Sequence, residues 1–215
     1  MPKEITRDAA LDLLAEHEMR ARTAEQREDD LFCIGVEDWG DDAGWRKLEP
    51  TVREEIERNA EGQEISDPEH PRFNAAIALY LRSRPGAATN EYLLHQVTEI
   101  DRTVIAVTGD TPDAEACPCC GRKTIGERGC YEICLVCWWE DDGQDNDQAD
   151  EVLGGPNGRL SLTEARRNFL VQGIFDPTRT DLLEQRDPPD MYCRCRSFIL
   201  QADGTVIEQV ESTSG

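Results

Sequence analysis

Cys117-Pro118-Cys119-Cys120-Gly121 and Cys134-Leu135-Val136-Cys137-Trp138-Trp139 are the stretches that decide how this 215-residue chain is organised. Each holds a CxxC pair when Cys117 is read with Cys120, and thirteen residues separate the pairs. A CxxC turn aims two thiolates at one centre, and zinc takes four soft ligands in a tetrahedron at about 2.3 Å. The spacing therefore predicts one Zn2+ held by Cys117, Cys120, Cys134 and Cys137, with Gly121 supplying the positive φ that such a turn commonly needs. Four cysteines leave no open coordination position, so the expected site is a closed staple rather than a catalytic one. Such sites contribute on the order of 10 kcal/mol of folding free energy.

Six of the nine cysteines lie between Cys117 and Cys137, a clustering that reads as metal binding or redox chemistry rather than a disulfide framework. Cys119 and Cys130 are surplus to the four. Cys119 is placed either to replace Cys120 as a ligand or to stand as an exposed thiol beside the metal, and Cys130 reads as an ordinary partly buried cysteine. Cys117-Pro118-Cys119-Cys120 is also a CPxC motif of the kind used in thiol–disulfide exchange, but that chemistry places it at a helix N-terminus, and Gly121-Arg122-Lys123-Thr124 does not read as a helix. Cys193 and Cys195, two apart on an expected strand, face one side; burial in a hairpin is the expectation.

Around the cysteines the chain is poor in aliphatic residues and needs a staple to fold. Residues 140–151 form an acidic run without the register of a calcium loop, and so are expected to be a solvated loop. Trp138 and Trp139, adjacent on an expected strand, would point to opposite faces, one onto the cysteine site. Ser161 and Glu164 make a capping box that opens a helix ended by Gly173, a short helix surrounds Leu182 and Leu183, and Tyr192–Leu200 with Thr205–Val210 flank Asp203-Gly204 as a hairpin with a type I′ turn.

Before Thr111 the pattern is helical. Thr6 or Asp8 opens a helix whose inner face carries Ala10, Leu13, Leu14 and His17; Thr23 with Gln26 and Thr51 with Glu54 are capping-box pairs; Asp67-Pro68 starts a helix bearing Phe73, Ile77, Tyr80 and Leu81; another runs from Asn90 through Leu93, Leu94 and Val97. The period changes at Thr103–Thr108, a β-branched run that reads as a strand. His17, His70 and His95 show no metal or catalytic spacing, and no acid, base or nucleophile set stands out, so enzymatic activity is not expected.

With 23 basic against 45 acidic residues the net charge is −22. A phosphate-neutralising nucleic-acid binder is disfavoured, and a protein with a basic surface is the expected partner. No apolar run approaches a membrane span and the N-terminus has no signal-peptide core, so no membrane partner and a cytoplasmic location are expected.

The motifs, together with Glu140-Asp141-Asp142-Gly143, Gly154-Gly155-Pro156-Asn157 and Leu160–Phe169, resemble the bacterial cysteine-rich CPCC domain family over Cys117 to Pro189. That resemblance implies a small zinc-ribbon-like domain with the two CxxC pairs as ligands, and no reaction. Leu135 and Trp138 stand where the family pattern has Pro and Phe, and Cys130 is extra. The expectation is an α+β chain: a helical N-terminal domain over 1–111, then a zinc-ribbon-like domain with C-terminal helix and hairpin over 112–215. Its expected role is a zinc-binding interaction module. The alternatives are an acidic immunity or antitoxin-type inhibitor of a basic toxin or nuclease, and a thiol–disulfide redox protein using the CPCC motif. Oligomeric state is left open.

Overall fold

A computed structural model describes residues 1–209. The chain divides into two compact units, one comprising Met1–Gly86 with Leu93–Asp110 and the other comprising Ala87–Tyr92 with the chain from Thr111 onward. No helix among the described residues is long and apolar enough to cross a membrane.

The first unit is helical apart from one strand pair. Strand β1 (Lys3–Thr6) leads into α1 (Arg7–Ala21), followed by α2 (Ala24–Val36), α3 (Ala43–Lys47), α4 (Pro50–Ala60), α5 (Asn74–Ser83), α6 (Asn90–Ile100), which counts with this unit from Leu93, and β2 (Val104–Thr108). Thr6 caps α1 and Thr23 with Gln26 closes a reciprocal capping box on α2, so both starts lie where the sequence puts them. The capping pair expected at Thr51 and Glu54 does not form. Pro50 occupies the first helical turn of α4 behind Glu49, because its fixed φ and missing N–H suit that position. The helix expected from Asp67-Pro68 begins later, with a 3-10 turn at Pro71–Phe73 running into α5.

Leu31, Ile34, Trp45, Val52, Ile56, Phe73, Ile77 and Leu81 form the buried centre of this unit. Gly35 lets α2 and α4 approach closely, since a Cβ there would meet the Ile56 carbonyl oxygen at 2.6 Å. The buried stripe of α1 is Arg7, Ala10, Leu11 and Ala15 rather than the expected face through Leu13, Leu14 and His17. Two alanines on that stripe give a flat contact, while Asp8 and Asp12 on the adjacent face take ion pairs from Arg82 of α5. Strand β2 pairs in parallel with β1, a partner that the four residues Lys-Glu-Ile-Thr did not announce.

The second unit carries the cysteine-rich segment, with short strands β3 (Glu115–Ala116) and β4 (Lys123–Ile125), then α7 (Leu162–Gln172), α8 (Thr180–Leu183) and the hairpin of β5 (Ser197–Leu200) and β6 (Val206–Gln209). Ser161 and Glu164 form the expected capping box on α7, and Gly173 ends it in the left-handed conformation at φ 77°. The hairpin turn is not type I′. Gly204 N–H donates to the Gln201 carbonyl, Gln201 N–H to the Thr205 carbonyl, and only Gly204 has positive φ, which makes a type I turn with a glycine bulge. Val210, expected at the end of the last strand, lies outside the described residues.

Candidate metal centre

Two turns of the same construction meet at the centre of the cysteine-rich segment. In the first, the Gly121 N–H donates to the Cys117 carbonyl at 2.9 Å and the Cys117 N–H to the Arg122 carbonyl at 2.8 Å. In the second, the Trp138 N–H donates to the Cys134 carbonyl at 2.7 Å and the Cys134 N–H to the Trp139 carbonyl at 2.9 Å. The fifth position of each turn is left-handed, Gly121 at φ 75° and Trp138 at φ 66°. This correspondence pairs Cys117 with Cys134 and Cys120 with Cys137. Cys119 has no counterpart in the second turn and stands outside the group of four.

The four sulfurs converge. Sγ of Cys117 lies 3.6 Å from that of Cys137, Cys120 Sγ lies 3.6 Å from that of Cys134, and all four lie within 4.8 Å of one another. A tetrahedron of sulfurs at zinc–thiolate bond length has edges of about 3.8 Å. The donor set and its spacing therefore suit a thiophilic dication. All four are buried, and Thr124 Oγ1 donates to Cys134 Sγ at 3.0 Å. Burial pushes the Cys117, Cys120 and Cys137 thiols up, while at Cys134 burial is outweighed by hydrogen bonds from the other three sulfurs and from Thr124, which hold it well below the ordinary thiol value.

The rest of the unit grips both turns by their backbones. Phe175 N–H donates to the Cys137 carbonyl and Asp187 N–H to the Leu135 carbonyl, each at 2.9 Å. On the other side, Cys195 and Arg196 N–H groups donate to the Gly121 carbonyl, and Arg166 Nε donates to the Pro118 carbonyl at 2.8 Å. Gly121 is confined further, since a Cβ there would lie 2.0 Å from the Arg196 carbonyl oxygen. Trp139 is fully buried and meets Phe175 edge to face, with ring centroids 6.1 Å apart. Trp138 is not on a strand. Its left-handed backbone turns the indole away so that Nε1 donates to the Leu182 carbonyl of α8 at 2.8 Å.

Several expectations about the remaining residues are corrected here. Cys119 is buried rather than an exposed thiol, Cys130 is exposed rather than partly buried, and Cys193 with Cys195 are exposed rather than enclosed by the hairpin. They precede β5 instead of lying within it, which leaves their side chains uncovered.

The acidic run is not a solvated loop throughout. Asp141 is 0% exposed and accepts from Arg128 Nε and the Gly129 N–H, while Asp145 accepts from Arg128 and from both terminal nitrogens of Arg196. Arg196 also binds Glu208 of β6 at 2.8 Å, so the acidic segment is tied to the hairpin. Burial alone would raise the Asp145 carboxyl, but the hydrogen bonds of Arg196 and Arg128 hold it well below the usual carboxylate range. These arginines are far from the acids in sequence, and no spacing announced them.

Comparison with known families agrees with this geometry. A family model described as "Cysteine-rich CPCC" matches residues 115–190. Residues 115–190 are a CPCC segment. No curated protein and no solved structure gives a significant match to the chain. The matched residues thus end just before Cys193, and Cys195 and Arg196, which grip the first turn, lie beyond them.

Proposed function

We propose that the CPCC segment holds one structural Zn2+ through Cys117, Cys120, Cys134 and Cys137, and that the protein is a non-enzymatic interaction module. The observation that carries this reading is the closed set of four buried sulfurs within 4.8 Å of one another. Bound there, zinc would supply a cross-link between the two turns, worth on the order of 10 kcal/mol to a segment with few aliphatic residues. A buried site with four protein ligands offers no position for water or substrate, which separates it from catalytic zinc. The CPCC motif also lacks the setting of an exchange thiol, since Cys117, Cys119 and Cys120 are all buried and none starts a helix.

The partner proposed is a protein with a basic surface. Residues 115–151 carry ten acidic against three basic side chains, and the whole chain is at −22. Complementary charge of this kind speeds association and makes it sensitive to salt. An inhibitor of a basic toxin or nuclease is one member of that class.

Elemental analysis of protein purified without added metal tests the first part. One zinc per chain is expected in the native protein and in Cys119→Ser, and a marked loss in Cys120→Ser. Equal loss in both variants, or native protein free of metal, refutes the ligand set.

A further inference from the structure

Two thiols outside the four-sulfur cluster stand together on the surface. Cys193 and Cys195 are both exposed, and their Sγ atoms lie 3.8 Å apart. The residue between them, Arg194, forms an antiparallel bridge with Arg122. Lys123 N–H donates to the Cys193 carbonyl at 2.9 Å, and Cys195 N–H donates to the Gly121 carbonyl at 2.9 Å, so the backbone under both thiols is fixed. On an extended stretch residues two apart share a face, which is why the sulfurs meet. Burial and then the neighbouring Cys193 raise the Cys195 thiol, and Lys123, which pairs with Asp113, partly opposes them.

We propose that Cys193 and Cys195 form a redox-active dithiol whose reaction partner is a low-molecular-weight disulfide, RSSR. One thiol of the pair loses its proton and attacks a sulfur of RSSR; the S–S bond of RSSR breaks, RS⁻ leaves, and that leaving thiolate takes up a proton. The second protein thiol then deprotonates and attacks the protein sulfur of the mixed disulfide, expelling the other RS⁻, which is protonated in turn. In sum Cys193 and Cys195 give up two electrons and two protons to form one S–S bond, and RSSR becomes two RSH.

The geometry favours closure over a lasting mixed disulfide, because the sulfurs need approach only from 3.8 Å to about 2.05 Å. It also favours reversal. Two residues on an extended chain span roughly 6.6 to 6.8 Å between Cα atoms, at the upper end of what a disulfide tolerates. A bond formed there is strained, and strained, exposed disulfides are the easily reduced ones. The pair therefore behaves as a reversible couple, and neither thiol belongs to the proposed zinc ligands.

Full-length protein freed of reductant and treated with oxidised glutathione tests this, with peptide mass mapping of every cysteine and parallel measurement of zinc. The expected result is an intramolecular Cys193–Cys195 link that forms before any change at Cys117, Cys120, Cys134 or Cys137, and that excess reduced glutathione reverses. In Cys193→Ser the link is replaced by a stable glutathione adduct on Cys195; the exposure of the site predicts an unchanged circular dichroism spectrum for this variant. Two adducts without a link, two free thiols, or prior oxidation of the four clustered cysteines would each overturn the proposal. A metal-free native protein would sink the zinc reading alone, because the mass map reports on the exposed pair independently.

Discussion

The left-handed residue that follows each cysteine pair is a glycine in one turn and a tryptophan in the other, and their surroundings explain the difference. At Gly121 the Arg196 carbonyl leaves no room for a Cβ, whereas Trp138 has space and an acceptor for its indole at Leu182. Gly121→Ala combines a positive φ with a backbone clash, so a loss of at least about 1 to 3 kcal/mol is expected in denaturant unfolding at saturating zinc. Trp139→Ala, which empties a fully buried site against Phe175, is expected to cost about 3 to 5 kcal/mol while leaving zinc stoichiometry at one. At this scale the four clustered cysteines were legible from spacing alone, because two thiols three residues apart can hardly avoid a common centre in such a turn. The choice between Cys119 and Cys120 needed the repeated hydrogen-bond pattern of the two turns. Exposure of Cys130, Cys193 and Cys195 depends on what packs over them and was not legible.

Among the elements, the acidic segment departs furthest from its sequence. Read locally, residues 140–151 can only be a charged loop; folded, they wrap Arg128 and Arg196, whose guanidinium groups arrive from an earlier turn and from the residue just before β5. Asp145 has a folded-state pKa below its unfolded value, so the stabilisation it provides is fully present above the unfolded carboxylate pKa of about 3.9 and is lost as pH falls toward the folded value. The difference in unfolding free energy between native protein and Asp145→Asn should accordingly be constant from about pH 5 upward and shrink below about pH 4. Equal slopes for the two proteins across that range would show that the carboxylate is not paired in solution. The capping boxes at Thr23 and Ser161 were readable because they are closed by residues three apart; the start of α4 was misjudged because Pro50, one residue earlier, takes the first turn. Strand β1 escaped notice since its partner lies about a hundred residues away in sequence.

For the molecule as a whole, the proposed zinc would give the two units different sources of stability. The buried centre formed by α2 to α5 is aliphatic and aromatic and contains no cysteine of the cluster, while the CPCC segment gathers its four buried sulfurs and would lean on the proposed metal. A strong chelator should therefore abolish the near-ultraviolet signal of Trp138 and Trp139 while most of the helical circular dichroism survives; simultaneous loss of both would show that one cooperative transition governs the chain. The order of a helical region and then a cysteine-rich one was legible from hydrophobic period and cysteine spacing, because both signals are local. The parallel pairing of β1 with β2 was not, and it bears on how the protein is made. Lys3–Thr6 leaves the ribosome about a hundred residues ahead of Val104–Thr108, so it has no strand to join until that segment has been synthesised. The helices between can form on local signals as they emerge, but the sheet that joins β1 to β2 must wait. The earlier strand of the pair is thus placed only once the later one has been made.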